Sequence, residues 1–262
     1  MSQLSFHQKK AVEALENIQN ICEKHGIKPF LLAGTALGAV RHKGFIPWDD
    51  DIDIGFTYED WLKVKKILSE ELDRQFEYAD YDTKESFPRM FGKVLFNQQN
   101  CVDLFLIAKW TKNKIRGNLH WQIKRFAVEC YKYSIHYNAP IKPNLSEKQI
   151  KHIKKVERIR KSIYSLIKWF CKPKDFIRLA QWNERFFEKR KSDCYINLYS
   201  LYKMDKEILK KEWIEETSLV MFENHYYQTV GDTDAYLTHL YGDYMTPPPE
   251  FERISTHQEV FY

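Results

Sequence analysis

Apolar positions recur along this chain with two periods, and the switches between them predict its elements. Residues 7–24 carry Ala11, Leu15, Ile18 and Ile21 at helical spacing, and His25-Gly26 ends the run. Residues 30–33 read as a short apolar strand, Gly34-Thr35 as a turn, and 36–40 as a short helix. After the breakers Gly44 and Pro47, residues 49–56 alternate Asp with Ile, which predicts a strand with one face in a core. Trp61, Val64, Ile67, Leu68 and Leu72 give residues 59–75 a helical stripe. Two further strands, 89–96 and 101–108, are joined by Asn97-Gln98-Gln99-Asn100, a natural hairpin turn.

The second half reads differently. Residues 146–169 place Ile150, Ile153, Val156, Ile159, Ile163 and Ile167 on one broad helical face, with Lys and Arg over much of the other. A helix over 176–189 carries Trp182, Phe186 and Phe187. The chain beyond residue 190 has short strands or turns and reaches Pro247-Pro248-Pro249, which cannot continue a helix. The element order predicts an α+β, mixed α/β fold: a small mixed sheet with flanking helices and a basic helical region. It is not a run of βαβ units, and there is no internal repeat. Three parts are expected: a catalytic core over 1–108, a basic, mainly helical region over 109–190, and a C-terminal region over 191–262 that packs on the core and completes the site.

Composition narrows the class. At 262 residues, 44% hydrophobic and 29% charged, the chain suits a soluble globular protein with a substantial core. There is no signal-peptide pattern and no run near the roughly 20 apolar residues that span a bilayer, so a cytoplasmic protein is expected. Five scattered cysteines predict free thiols rather than a disulfide framework or structural zinc. The formal charge is +5, but residues 109–178 hold 19 Lys or Arg against four Asp or Glu. That asymmetry suits a polyanion, solvent, or peripheral contact with an anionic membrane at the inner face of the plasma membrane.

The chemistry concentrates in Trp48-Asp49-Asp50-Asp51-Ile52-Asp53, four carboxylates within five positions. On a strand, Asp49, Asp51 and Asp53 share a face and Asp50 points the other way. Such crowding asks for cations, and a row of oxygens on a rigid element suits Mg²⁺ or Mn²⁺. An EF-hand register fails, because its sixth position is Ile54 where Gly is required and its twelfth is Asp60 rather than Glu. A solvated Asp-rich turn leaves the alternating isoleucines unexplained. A two-metal phosphate-transfer site fits best, with Asp103 on the later strand as a further carboxylate. The expected metal ligands are therefore Asp49, Asp51, Asp53 and Asp103, and the expected catalytic residues Asp51, Asp53 and Asp103. Gly34 and Thr35 offer a bare backbone and a hydroxyl to phosphate at a helix N-terminus. Arg41, His42 and Lys43 come next, and Arg89 and Lys93, four apart, share a strand face for phosphate contacts. Surface solvation competes for Lys43 and Lys93. Trp48 either stacks a base or packs in the core.

With these residues laid out, the stretch from Gly34 to Phe56, GTALGAVRHKGFIPWDDDIDIGF, closely resembles the signature of the LicD family. The later YGDYMTPPP at Tyr241–Pro249, with Arg253 and His257, looks like that family's end motif. The family lies within the nucleotidyltransferase-fold superfamily, whose small-residue turn, Asp-x-Asp strand and later carboxylate fall here on Gly34-Thr35, Asp51 with Asp53, and Asp103. Where the family often has Asp-Ile-Phe-Pro-Leu-Asp, this chain has Asp103-Leu-Phe-Leu-Ile-Ala108, without the second aspartate and the proline. The resemblance implies Mg²⁺-dependent transfer of a phospho-alcohol, phosphocholine above all, from a CDP-linked donor such as CDP-choline. Its acceptor would be a sugar hydroxyl of teichoic acid, capsule, lipopolysaccharide or a lipid-linked precursor; eukaryotic relatives transfer ribitol phosphate. His42 and His257 are candidate proton-transfer groups. Tyr226, Tyr227, Tyr241 and Tyr244 are candidates for an aromatic cage around a trimethylammonium. The competing readings are transfer of a nucleoside monophosphate to a small molecule, RNA or protein, nucleic-acid binding through the basic region, and an inactive scaffold.

Overall fold

The computed structural model describes residues 4–137, 147–200, 202–250 and Arg253. The first half runs α1 (Phe6–Lys24), β1 (Phe30–Leu31), α2 (Ala33–His42), β2 (Ile52–Thr57), α3 (Tyr58–Glu71), β3 (Phe76–Ala79), β4 (Gly92–Phe96) and β5 (Gln99–Trp110). Three long helices come after it: α4 (Lys114–Ser134), α5 (Glu147–Ile167) and α6 (Pro173–Glu188). The remainder is β6 (Cys194–Asn197), α7 (Met204–Glu207), β7 (Ile208–Lys210), α8 (Lys211–Glu215), β8 (Thr217–Phe222), β9 (His225–Val230) and α9 (Thr233–Tyr241). The fold is mixed α/β, as the pattern predicts.

One mixed sheet organises it, in the order β3-β4-β5-β2-β1-β9-β8, with β6 on β5 and β7 on β6. β5 is its spine and is buried along most of its length. On one edge it pairs parallel with β2, from Ile52↔Val102 to Thr57↔Ile107. On the other it pairs antiparallel with β4 up to Leu104, and then with β6 from Ile107 to Trp110. The sheet thus extends well beyond the small one expected, because four strands from beyond residue 190 join it. Those residues also form α7, α8 and α9, which the expectation of short strands or turns omits.

Local chemistry explains most boundaries. The β4–β5 turn is two residues, Asn97 and Gln98, at φ 47° and 65°; this left-handed pair matches the twist of a tight hairpin. Gln99 and Asn100, expected in the turn, already belong to β5. α1 opens on a capping box: Ser5 Oγ accepts the Gln8 N–H at 3.1 Å and Gln8 Oε1 accepts the Ser5 N–H at 2.9 Å. β2 starts at Ile52 rather than Asp49, since its ladder begins at Ile52↔Val102 and Asp49–Asp51 form the loop before it. β4 starts at Gly92 rather than Arg89, because β6 occupies the edge of β5 that an earlier start would need.

α5 departs from its pattern in a different way. Its inward side is Ile153, Val156, Arg160, Tyr164 and Ile167, whereas Ile159 and Ile163, expected on the packed face, are 53% and 45% exposed. The apolar stripe is wider than the surface available to cover it. α4 and α6 are better seated, joined by His120 Nδ1 and Asn183 Oδ1 at 2.6 Å beside Trp110, Phe186 and Phe187. All five cysteines are free, and Cys171 is the one not fully buried.

α2 and the loop after it approach each other closely through their backbones. A methyl group on Gly38 would stand 2.5 Å from the Gly44 carbonyl oxygen. Gly38→Ala should therefore push α2 off that loop and cost about 1–3 kcal/mol. Chemical denaturation of the two proteins measures it.

Candidate active site

Strand register assembles the acidic centre. Parallel pairing sets Asp53 of β2 opposite Asp103 of β5, and antiparallel pairing sets Lys93 of β4 on the far side of Asp103. Asp51, one residue before β2, adds a third carboxylate: Asp51, Asp53 and Asp103 each bring an oxygen to within 4.8 Å of the others. Asp49, Asp50 and Asp51 form a second such group. The strict alternation expected over 49–53 fails because the strand has not begun there, and Asp50, expected on the opposite face, joins its neighbours. Asp49 still lies beside Asp53. A methyl group on Gly34 would meet Asp49 Oδ2 at 2.9 Å and Asp53 Oδ2 at 3.6 Å, so a side chain there would push the Asp49 carboxylate aside.

Neighbours hold the carboxylates in place. Lys93 and Asp103 are 4% and 6% exposed and form an ion pair at 2.6 Å, so Lys93 is not a solvated surface lysine. Asn100 Nδ2 donates to Asp51 Oδ2 at 3.3 Å, aimed by a bulge at Cys101 between the Leu95↔Asn100 and Val94↔Val102 pairs. The Asp53 N–H donates to Thr35 Oγ1 at 2.7 Å, and the Gly34 N–H to the Asp53 carboxylate. Gln8 extends from the cap of α1 to donate to the Asp49 carbonyl at 2.8 Å. Gly34 and Thr35 sit in the first turn of α2, which begins three residues earlier than expected, and these two hydrogen bonds orient Asp53.

Electrostatics reflect this crowding. Burial pushes Asp51 well above the usual carboxylate range, and the charges of Asp53, Asp103 and Asp49 push the same way. Asp53 is raised likewise, by desolvation and then by Asp103 and Asp49, against the Gly34 N–H and Lys93. An all-oxygen donor set under mutual repulsion fits a hard divalent cation and would be relieved by one.

The other expected residues divide into two groups. Arg41, His42, Lys43 and Trp48 lie toward the C-terminal segment. Arg41 donates to the Tyr244 carbonyl at 2.7 Å and to His42 Nδ1 at 3.4 Å, and the Arg253 guanidinium lies 5.4 Å from the Trp48 ring. Trp48 is partly buried, packs on the core and carries that cation on its face. Burial lowers His42, with the Arg41 charge adding to the effect. Lys43 is exposed and left-handed at φ 62°, ending α2. His257 lies outside the described residues. The four tyrosines do not gather: Tyr226 is 70% exposed, Tyr227 packs on Phe222, Tyr244 donates to Asp234, and Tyr241 alone of them interacts with Asp53.

Arg89 belongs to the second group, in the bend before β4, and so does not share a strand face with Lys93. It lines a cavity of about 430 Å³ with Lys124, Arg125, Lys132, Tyr199 and Tyr202. Phe91, in the wall, lies under Lys93 at 5.2 Å, and Tyr202 interacts electrostatically with Asp53 and Asp49, so cavity and acidic centre adjoin. Lys124 is the unforeseen member. Its amine is buried 4.0 Å from the Trp121 ring, with no carboxylate oxygen within 4.0 Å among the described residues. A lysine on an amphipathic helix reads as solvent-facing, so no sequence signal marks it. Gln8 did carry one, the Ser5-x-x-Gln8 capping box.

The comparisons fit this geometry. Residues 26–142 match the family described as LicD/FKTN/FKRP, nucleotidyltransferase domain. Over 277 aligned residues, covering 100% of this chain and 99% of the relative, it is 24% identical to the lipopolysaccharide cholinephosphotransferase LicD of Haemophilus influenzae. Residues 26–142 thus carry a LicD-family domain. A match at 37% identity, to an uncharacterized protein of Rickettsia prowazekii, covers 39% of this chain and 34% of that protein. The mouse ribitol 5-phosphate transferase FKRP is 24% identical over 50% of this chain and 26% of its own length.

Two outcomes are expected. Mg²⁺ at a hundredfold excess over its Kd should stabilise the protein by about 2–3 kcal/mol. Asp53→Asn should abolish that gain while leaving the metal-free protein at least as stable, and thermal melts with and without Mg²⁺ read both effects. For Lys124, burial lowers the amine from 10.5 to about 7, with Lys132 and Arg125 adding and Glu207 and Glu129 opposing. The unfolded chain then holds more protons between those values, so stability rises with pH across that window and the buried amine is most costly below it. Lys124→Met should raise the melting temperature, by more at pH 6 than at pH 10.

Proposed function

We propose that this chain transfers phosphocholine, or a related phospho-alcohol, from a CDP-linked donor to a hydroxyl of a cell-surface glycan or its lipid-linked precursor. That it is a phospho-alcohol transferase is supported by its LicD/FKTN/FKRP domain match and by relatives that carry cholinephosphotransferase and ribitol 5-phosphate transferase names. The finer reading rests on one observation: Asp53 and Asp103 stand side by side on parallel strands with Asp51 against them, next to a cationic cavity.

Asp51, Asp53 and Asp103 would hold Mg²⁺ or Mn²⁺, with Asp49 at the margin. Bound there, the ion supplies positive charge to the donor diphosphate. The acceptor oxygen bonds to the distal phosphorus, the bond from that phosphorus to the CMP oxygen breaks, and CMP departs with the electron pair. Arg89 and Lys124 would face donor phosphate oxygens in the cavity. Lys93 acts on Asp103, fixing its orientation and leaving one oxygen for the metal. The acceptor hydroxyl must lose its proton, and a carboxylate oxygen of the centre that the ion leaves free would receive it. Arg41 and Trp48 position the C-terminal segment over this centre through Tyr244 and Arg253.

The decisive assay offers CDP-choline, CDP-glycerol and CDP-ribitol with Mg²⁺, with and without glycan acceptors, and reads CMP. Acceptor-dependent CMP release supports the proposal. Pyrophosphate released from a nucleoside triphosphate, with no CMP from any CDP-alcohol, would replace it with nucleotidyl transfer. Asp51→Asn and Asp53→Asn should each lower kcat/KM by roughly a hundredfold or more, whereas Arg89→Ala and Lys124→Met should act chiefly by raising the donor KM.

A further inference from the structure

α5 carries apolar surface that nothing among the described residues covers. Tyr164 and Ile167 pack on the core, but Ile159, Ile163 and Leu166 are 53%, 45% and 73% exposed. Their spacing of four and three continues by four to Phe170, so these residues form one stripe. The stripe ends in the turn between α5 and α6, where Trp169 is 82% and Phe170 87% exposed. Phe126 of α4, 42% exposed, borders the same groove as Ile163 and widens the patch.

The turn that presents these rings is built. The Lys168 N–H donates to the Tyr164 carbonyl at 2.9 Å, and the Phe170 and Cys171 N–H groups donate to the Ile167 carbonyl at 2.9 and 3.1 Å. Ile167 and Cys171 pack inward on either side, which leaves residues 168–170 outward. Lys168 and Lys172 flank the rings in the chain, and Lys155, Arg158, Lys161 and Lys174 of the same stretch are exposed as well. The acids of this stretch are half-buried, and Asp175 is engaged by Arg178 at 3.4 Å.

We propose that this face docks on an anionic lipid bilayer, with Trp169 and Phe170 entering the boundary between headgroups and acyl chains. A projecting aromatic pair, an aliphatic stripe along one helix and a basic rim are what an interfacial helix needs. The lysine stems can lie along the apolar surface while their ammonium groups meet lipid phosphates. A second copy of this chain fits less well, since two strongly basic rims would face each other. Nucleic acid would use the charge and the rings but leave Ile159, Ile163 and Leu166 in water. No helix among the described residues is long and apolar enough to cross a membrane, so contact of this kind would be peripheral. The inference does not depend on the transfer reaction.

Flotation of the full chain with vesicles tests it. Wild type should rise with phosphatidylcholine vesicles containing phosphatidylglycerol, less at high salt, and little with phosphatidylcholine alone. The double variant Trp169→Ser, Phe170→Ser should keep its circular dichroism and melting temperature and lose roughly tenfold or more in partition coefficient. The proposal is overturned if wild type stays in solution with the anionic vesicles, or if the double variant floats undiminished. A wild-type dimer in sedimentation that the variant lacks, with no vesicle binding by either, would assign the patch to self-association instead.

Discussion

Repulsion among the carboxylates of β2, β5 and the preceding loop is the constraint to which the surrounding structure answers. Asp51 and Asp53 are held where burial and their neighbours oppose ionisation. The protein offsets part of that strain with Lys93, the Gly34 N–H and the Asn100 amide. A lone buried pair such as Lys93–Asp103 is weak evidence for stability. Here it does something else, placing a fixed positive charge beside Asp103 while burial and mutual repulsion still raise Asp51 and Asp53. That residual electrostatic deficit is where a divalent ion would act.

Register turns that deficit into a site. Parallel pairing of β2 with β5 puts Asp53 against Asp103, and a one-residue slip would send one of them to the other face of the sheet. Asp103 itself guards against such a slip, because it would leave Lys93 and Asp53 for the opposite buried face of β5. The hairpin at Asn97-Gln98 and the bulge at Cys101 then fix where Lys93 and Asn100 arrive. Strand pairing along the spine thus sets polar geometry at its end.

Features resting on local chemistry were legible in the chain. Ile52 and Ile54 mark β2, Asn97-Gln98 marks the hairpin, and Ala11, Leu15 and Ile18 mark α1, because each depends on neighbours a few residues away. The approach of Asp103 to Asp51 and Asp53 could be anticipated because a charge among Val102, Leu104 and Phe105 needs a partner. Features resting on distant chain were not legible. Arg89 leaves the sheet because β6, a hundred residues on, takes its edge. Lys93 finds Asp103 only through strand pairing. Lys124 is buried because the segments carrying Tyr199 and Tyr202 close over α4. On α5 the period was right and the covered side was not, since hydrophobicity records what is apolar and not what is available to cover it.

The Arg41 bond to the Tyr244 carbonyl and the Ala33 bond to Tyr236 Oη each join residues 203 positions apart. Ala33 meets its partner in a left-handed conformation, φ 42°, that an alanine does not favour on its own. Contacts of such span close large loops and form late, after the entropy of the intervening chain has been surrendered. A ribosome-bound chain that ends before α9 therefore already carries Asp51, Asp53 and Asp103 but lacks the cover that shapes their surroundings. The finished surroundings of the three aspartates must wait for α9, which returns to the first turn of α2.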